Sequence, residues 1–229
     1  MEAAPPSNYG NIENIQDKAK IKSDLIKKYK EILKNNLEGR TLKDGKINSW
    51  LNKILIDAKE YFIEKYPNYD IFIFAQIVPD VIDYLSNANS IYIAKTDGFS
   101  FADYQTDEFY CLLRFIFFVH YDLDYSIEDY EDEIIQKGDE ILRKYLQDKE
   151  YIEENVKQYN LSINEEFVNF ILTKENSLRV CTINKIYKKP IEGKYFFKYL
   201  CHGKNVNSKI MQTYENNNLR CVHFTFFFK

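Results

Sequence analysis

One kind of segment occurs twice in this chain, and it limits the possible folds more than any other feature. The first copy is residues 109–118, FYCLLRFIFF, and the second is residues 219–228, LRCVHFTFFF. Each is rich in aromatic and β-branched residues and lacks Gly and Pro, which predicts a long strand with at least one buried face. Cys111 and Cys221 lie 110 residues apart in a chain of 229. A spacing close to half the chain predicts a duplicated unit.

The first half reads as two helices followed by four strands. Apolar residues recur at three- to four-residue spacing from Asp17 onward, which predicts a helix that ends near Gly39, a candidate left-handed cap. A second helix follows residues 44–45, carries Trp50 on its apolar face and is closed by Pro67. The strands predicted next are residues 69–78, 90–95, 99–104 and 109–121.

The second half repeats this order. A helix is predicted from about Ile134, and Ser162-x-x-Glu165 has the form of a capping box that begins another. Residues between these two are predicted to be helical too, without fixed limits. Four strands are predicted after them, at residues 178–188, 194–201, 208–214 and 219–228.

Helices that precede an antiparallel sheet are typical of the α+β class, so we expect two tandem units, each with two helices on a four-stranded sheet. The predicted organisation is a flexible arm at residues 1–17, a first unit at 18–121, an acidic linker at 122–133 and a second unit at 134–229.

The strand predicted at 109–121 is apolar on both faces. Alternate side chains point to opposite sides of a sheet, and Arg114 is the one polar exception among residues 111–119. Two helices cover only one face of a four-stranded sheet, so we expect the other face to meet the second unit or a partner. An open sheet also has edges that can accept an extended peptide. We expect residues 90–95 and 194–201 to form such edges.

Several short motifs of the first half occur in the order typical of a known family. They are Leu37-Glu38-Gly39-Arg40, then Trp50, then Pro67-Asn68-Tyr69, and finally the closing strand that begins Phe109-Tyr110-Cys111. Over about residues 20–121 the chain resembles the Tctex-type dynein light chains. It departs from them at Ile93-Ala94, where the family usually has Trp-Asp. The second half resembles the family in element order and through Leu219-Arg220-Cys221-Val222.

The resemblance implies a non-catalytic subunit of a dynein motor, without a cofactor, located in the cytoplasm and cytoskeleton and in a cilium or axoneme. Family members form dimers that exchange a strand, and they bind an extended peptide of a dynein intermediate chain. Two fused units would form an internal pseudo-dimer, open to heterodimer formation with other light chains, with neither nucleic acid nor membrane as partner. The expected partner-binding residues are Ser90, Ile91, Tyr92, Ile93, Ala94, Lys95, Lys194, Tyr195, Phe196, Phe197, Lys198 and Tyr199.

Other chemistry finds little support in the sequence. The cysteines and histidines lack Cys-x-x-Cys or His-x-x-x-His spacing, so buried reduced thiols are favoured over a metal site or a Cys–His nucleophile. These residues are Cys111, Cys181, Cys201, Cys221, His202 and His223. The acidic residues 122–133 lack the spacing of a calcium loop, and the chain has no phosphate-binding glycine motif.

The net charge and the lengths of the apolar runs indicate which partners and which cellular location to expect. The formal net charge is −4, and the lysines of the first helix fit the polar side of an amphipathic helix better than a site for tubulin or nucleic acid. The longest apolar runs are about nine residues, half of what a bilayer requires. The N-terminus has no apolar core of a signal peptide, so we expect a cytosolic protein. Two alternatives stay open: an adaptor of the same fold outside dynein, and an unrelated α+β enzyme.

Overall fold

The computed structural model describes residues 13–78, 89–94, 98–119, 128–175, 178–189, 196–202 and 206–228. The α-helices in these residues are α1 (Glu13–Leu37), α2 (Ile47–Lys65), α3 (Glu131–Leu146) and α4 (Glu153–Lys174). The strands of the first half are β1 (Tyr69–Val78), β2 (Asn89–Ala94), β3 (Gly98–Gln105) and β4 (Tyr110–Val119). Those of the second half are β5 (Arg179–Lys188), β6 (Phe196–His202), β7 (Val206–Glu215) and β8 (Leu219–Phe228). The α+β class is therefore confirmed.

The helices form because each presents one apolar stripe to a sheet. In α1, Leu25, Tyr29 and Leu33 recur at four-residue spacing and are fully buried, while the lysines between them face outward. Past the end of α1, Gly39 has φ +71°, which confirms the predicted left-handed cap.

The strands form two antiparallel sheets that exchange one strand each. The first sheet has the order β3-β4-β1-β6 and the second has the order β2-β5-β8-β7. Thus β6, from the second half of the chain, pairs with β1, and β2, from the first half, pairs with β5. Leu200 of β6 accordingly packs against the core formed by α1 and α2.

The molecule has four layers, with helices outside and the two sheets face to face. Helices α1 and α2 cover the outer face of the first sheet, and α3 and α4 cover that of the second. A third core lies between the sheets, where the Phe72 and Phe226 rings are 4.7 Å apart. Arg179 of β5 reaches across to donate a hydrogen bond of 2.7 Å to the carbonyl of Val119.

This layering confirms the prediction for the strand that contains Arg114. Cys111, Leu113, Phe115 and Phe117 face the helices, while Ile116 and Phe118 lie in the core between the sheets. Both faces of β4 are covered because the second sheet covers the face that the helices leave open.

Some predicted boundaries were wrong. The first helix begins at Glu13, inside the predicted arm of residues 1–17, and residues 1–12 lie outside the described part. The third helix begins at Glu131, inside the predicted linker. Ser162 lies in the middle of α4 and caps nothing, because apolar residues on both sides of it continue one helical stripe.

Candidate functional site

The strands predicted to bind a partner both lie at sheet edges. Residues 90–94 belong to β2 and residues 196–199 to β6, and among the described strands each pairs on one side only. Lys95, Lys194 and Tyr195 lie outside the described residues. The two edges belong to different sheets: β6 pairs with β1 at the end of the first sheet, and β2 pairs with β5 at the end of the second.

The helix-facing side of the β6 edge carries a lysine held by α2. Lys198 pairs with Ala75, whose side chain faces the helices, so Lys198 points to the same side. Its ammonium donates a hydrogen bond of 2.7 Å to Oδ1 of Asn52 on α2. One helical turn further on, the side chain of Ile56 is 47% exposed. An added strand would therefore run beside one cation and one apolar side chain.

The other side of the β6 edge carries an aromatic ring and a second lysine. Tyr199 stacks on Phe72 and meets the edge of Phe226, with ring centroids 6.1 Å and 4.9 Å apart. Its hydroxyl accepts a hydrogen bond of 2.7 Å from the exposed ammonium of Lys209, on β7 of the opposite sheet. The neighbouring Met211 on β7 is 58% exposed. This side again combines a cation with apolar surface.

The β2 edge has different surroundings. Phe99 and Phe101 on β3 face the same layer as Ile116 and are 36% and 50% exposed. In the strand pairing of the two sheets, Phe99 occupies the position of Lys209, and Phe101 occupies the position of Met211. On the helix side, Leu161 of α4 corresponds to Asn52 of α2. When these two residues are aligned, most buried residues of the two helices fall at the same positions.

No protein-family model matches the chain, and no curated protein is significantly similar to it. No helix among the described residues is long and apolar enough to cross a membrane.

The buried cysteine–histidine pair of β8 has the wrong environment for a nucleophile. The thiol of Cys221 lies 2.9 Å from Oδ1 of Asn184, and burial raises its pKa well above the usual range. Burial also lowers the pKa of His223 to about 3, so the imidazole stays neutral. A reactive cysteine needs a stabilised thiolate and access to substrate, and this site offers neither.

Metal ligation is equally unsupported in the described part of the chain. No group of three or more His, Cys, Asp or Glu side chains in it is arranged to hold an ion. Three of the four cysteines, Cys111, Cys181 and Cys221, are described as free and buried.

Sequence reasoning missed one cluster between α1 and α2. The carboxylate of Asp24 accepts hydrogen bonds of 2.7 Å from Lys65 and from the hydroxyls of Tyr61 and Tyr66. Burial opposes ionisation of Asp24, but these hydrogen bonds together outweigh it and lower its pKa. An open pocket of about 720 Å³ lies beside the cluster. The helical spacing of residues 61 and 65 puts them on one face, but only the packing of α1 supplies their carboxylate partner.

Proposed function

We propose that this protein is a non-catalytic scaffold of the Tctex dynein light chain type, a fused pseudo-dimer that binds extended peptides by strand addition. One observation carries the proposal: β2 and β6 cross between the halves and each becomes an edge strand of the other half's sheet. An edge strand offers unpaired backbone groups that an extended peptide can pair with.

The two halves correspond closely enough to support a duplicated unit. The pair Ile77–Cys111 of the first sheet has its counterpart in the pair Ile186–Cys221 of the second. All pairs of β3–β4 and the pairs of β1–β4 from Asp70 to Val78 find counterparts in the same way, as do the pairs of residues 71–76 with β6 and of residues 180–185 with β2. Agreement in strand order and register over eight strands is hard to obtain from unrelated domains.

The cores of the two halves differ by paired substitutions in which a larger residue on one helix is balanced by a smaller residue on the other, as expected of diverged copies. In the first half, Tyr29 fills the space between α1 and α2, and its hydroxyl donates to the carbonyl of Ala58 at 3.2 Å. The corresponding residues of the second half are Gly138 and Phe167, so the large residue has moved to the other helix. A Cβ at Gly138 would clash with the Phe167 ring and with Oε1 of Gln212. Total volume is kept, which is what close-packed cores require.

Fusion would keep the two units of the scaffold permanently together. Two separate light chains must find each other in solution, while tethered units meet at a high effective concentration. Fusion also allows the two edges to differ in chemistry, and the residues around β2 and β6 do differ. Such a protein suits an asymmetric partner, for example two different intermediate-chain segments of one motor complex.

A second candidate is an adaptor of the same architecture in another microtubule or ciliary complex. Ile93 and Ala94 stand where the family usually has Trp-Asp, and they lie within the strand proposed to bind the peptide. A change at that place favours a peptide different from that of the dynein light chains.

Affinity capture tests the two candidates. The full chain, carrying an N-terminal tag, would be recovered from native extract of its own cells, and its companions identified by mass spectrometry. We expect dynein intermediate and heavy chains in near-equal amounts. A stable complex without dynein subunits would overturn the dynein proposal in favour of the adaptor.

Hydrogen exchange tests strand addition itself. A peptide from a captured partner should slow amide exchange along β2 or β6 and leave the central strands β1, β4, β5 and β8 unchanged. Protection that lies elsewhere, for example only on the helices, would refute strand addition.

A further inference from the structure

The edge of β6 differs from the edge of β2 in charge, and this difference points to a ligand class. Lys198 and Lys209 flank the β6 edge on its two faces. Their hydrogen-bond acceptors are neutral: an amide oxygen of Asn52 and the hydroxyl of Tyr199. Within the described residues neither ammonium has a carboxylate partner that would compensate its charge.

The β2 edge provides an internal comparison. Ser90 takes the register position there that Lys198 takes on β6, because Ser90 pairs with Asn184 and Lys198 with Ala75. Phe99 takes the position of Lys209. The two edges therefore share their backbone arrangement but differ at the two positions that carry charge beside the β6 edge.

We propose that the β6 edge selects an acidic extended peptide with two adjacent carboxylate residues, an inference that rests on the proposed strand addition. Consecutive residues of a strand point to opposite faces of the sheet. One carboxylate would then reach Lys198 on the helix side, and the next would reach Lys209 on the side between the sheets. Ile56 lies one helical turn from the Asn52 that Lys198 contacts, and Met211 lies two residues from Lys209 on β7; both are exposed and would contact apolar residues next to the acidic pair.

The charges act as selectivity elements rather than as the main source of affinity. Backbone pairing supplies binding that is independent of sequence, and partly exposed ion pairs add modestly to it. Two such pairs are expected to favour an acidic peptide about tenfold over its neutral isostere. The preference should weaken as salt is raised, because exposed charges are screened.

The test uses short fluorescein-labelled peptides of alternating Thr and Val with a central Glu-Glu pair or, as the isostere, a central Gln-Gln pair. Anisotropy titrations would be made with the full chain, and hydrogen exchange would locate each peptide. We expect both peptides to protect β6, and the Glu-Glu peptide to bind about tenfold more tightly.

The decisive variant is Lys198→Ser/Lys209→Phe, which gives the β6 edge the residues found at the corresponding positions of the β2 edge. It should remove the preference for Glu-Glu and leave Gln-Gln affinity unchanged. Lys34→Ser/Lys43→Ser removes two exposed lysines of other elements, α1 and the turn that follows it, and should keep the preference. The single variant Lys198→Ser, which adds no apolar surface, should lose part of it.

The outcomes separate the two proposals. If both peptides protect β6 but bind equally, or if the preference survives Lys198→Ser/Lys209→Phe, the charge inference is wrong and strand addition stands. If neither peptide protects β6 or β2, strand addition is wrong, and the charge inference falls with it.

Discussion

Lys185 offers the sharpest test of the packing between the sheets. It lies on β5, is only 5% exposed, and its ammonium is 4.9 Å from the centre of the Tyr187 ring. Burial lowers the pKa of Lys185 from 10.5 to about 7, and the positive charge of Arg114 on the facing sheet contributes to this. The position therefore makes folding stability depend on pH between these two values.

The sign follows from proton binding. Between about pH 7 and 10.5, Lys185 is protonated in the unfolded chain but largely neutral in the folded one. The unfolded state thus binds more protons, so the contribution of Lys185 makes the protein more stable as pH rises through this window. Below pH 7 both states are charged and the whole cost of burial remains. At about 1.4 kcal/mol per pKa unit, that cost is about 5 kcal/mol.

Lys185→Met keeps the aliphatic chain and removes the charge. We expect it to raise the free energy of unfolding by about 3–5 kcal/mol near pH 6, since part of the burial cost is relieved by relaxation in the wild type. The gain should shrink as pH rises toward 10. Urea unfolding of both proteins at a series of pH values, followed by circular dichroism, measures this difference directly.

A second variant identifies the cause. Arg114→Met removes the neighbouring positive charge, so the pKa of Lys185 in the folded state should rise and the lower limit of the pH-dependent window should move upward. If the wild type and Lys185→Met gave parallel curves between about pH 7 and 10, Lys185 would not be a buried, destabilised cation and the reasoning would be refuted.

Three further predictions concern packing, a helix contact and thiols. Gly138→Ala should lower the free energy of unfolding by about 1–3 kcal/mol despite the better helix propensity of Ala, because its Cβ would clash with Oε1 of Gln212 and with the Phe167 ring. Chemical unfolding should show most of this loss disappearing in a Phe167→Leu/Gln212→Ala background, and an equal loss there would contradict the clash. Asp24→Asn should cost about 1–2 kcal/mol near neutral pH. The lowered pKa of Asp24 means that this difference is lost as pH falls through its folded value, so a cost that persists in strong acid would disprove the role of the carboxylate. Cys111 and Cys221 should react with Ellman's reagent only after unfolding, since both are fully buried and burial raises the pKa of both thiols. Rapid labelling of the native protein would contradict this.

Much of the local structure could be predicted because it depends on nearby residues. The strand Tyr69–Val78 and the final strand Leu219–Phe228 were predicted with their observed bounds, since β-branched and aromatic runs bounded by turn residues are a local signal. The start of α4 was predicted at the wrong place. A Ser-x-x-Glu pattern resembles a cap, but the apolar stripe that continues through it can be judged only against the sheet it packs on.

The candidate site could be predicted only in part. Residues 90–94 and 196–199 were expected at edges, and the structure has them at edges. The pairing of Lys198 with Asn52 and of Tyr199 with Lys209 could not be read from the sequence, because each contact joins different elements. For the same reason the carboxylate of Asp24 was not linked to Tyr61 and Tyr66.

The sequence by itself determined which segments become helices or strands and which side chains must be buried. The periodicity and composition of a segment depend on a few neighbouring residues only, so helices and strands can be predicted from them without the rest of the chain. Only the tertiary structure decided that β2 and β6 pair with the opposite half, because the same strand can satisfy its hydrogen bonds in either sheet. That choice depends on how the two apolar sheet faces cover each other. It also determines which strands remain at the edges and which charges lie beside them.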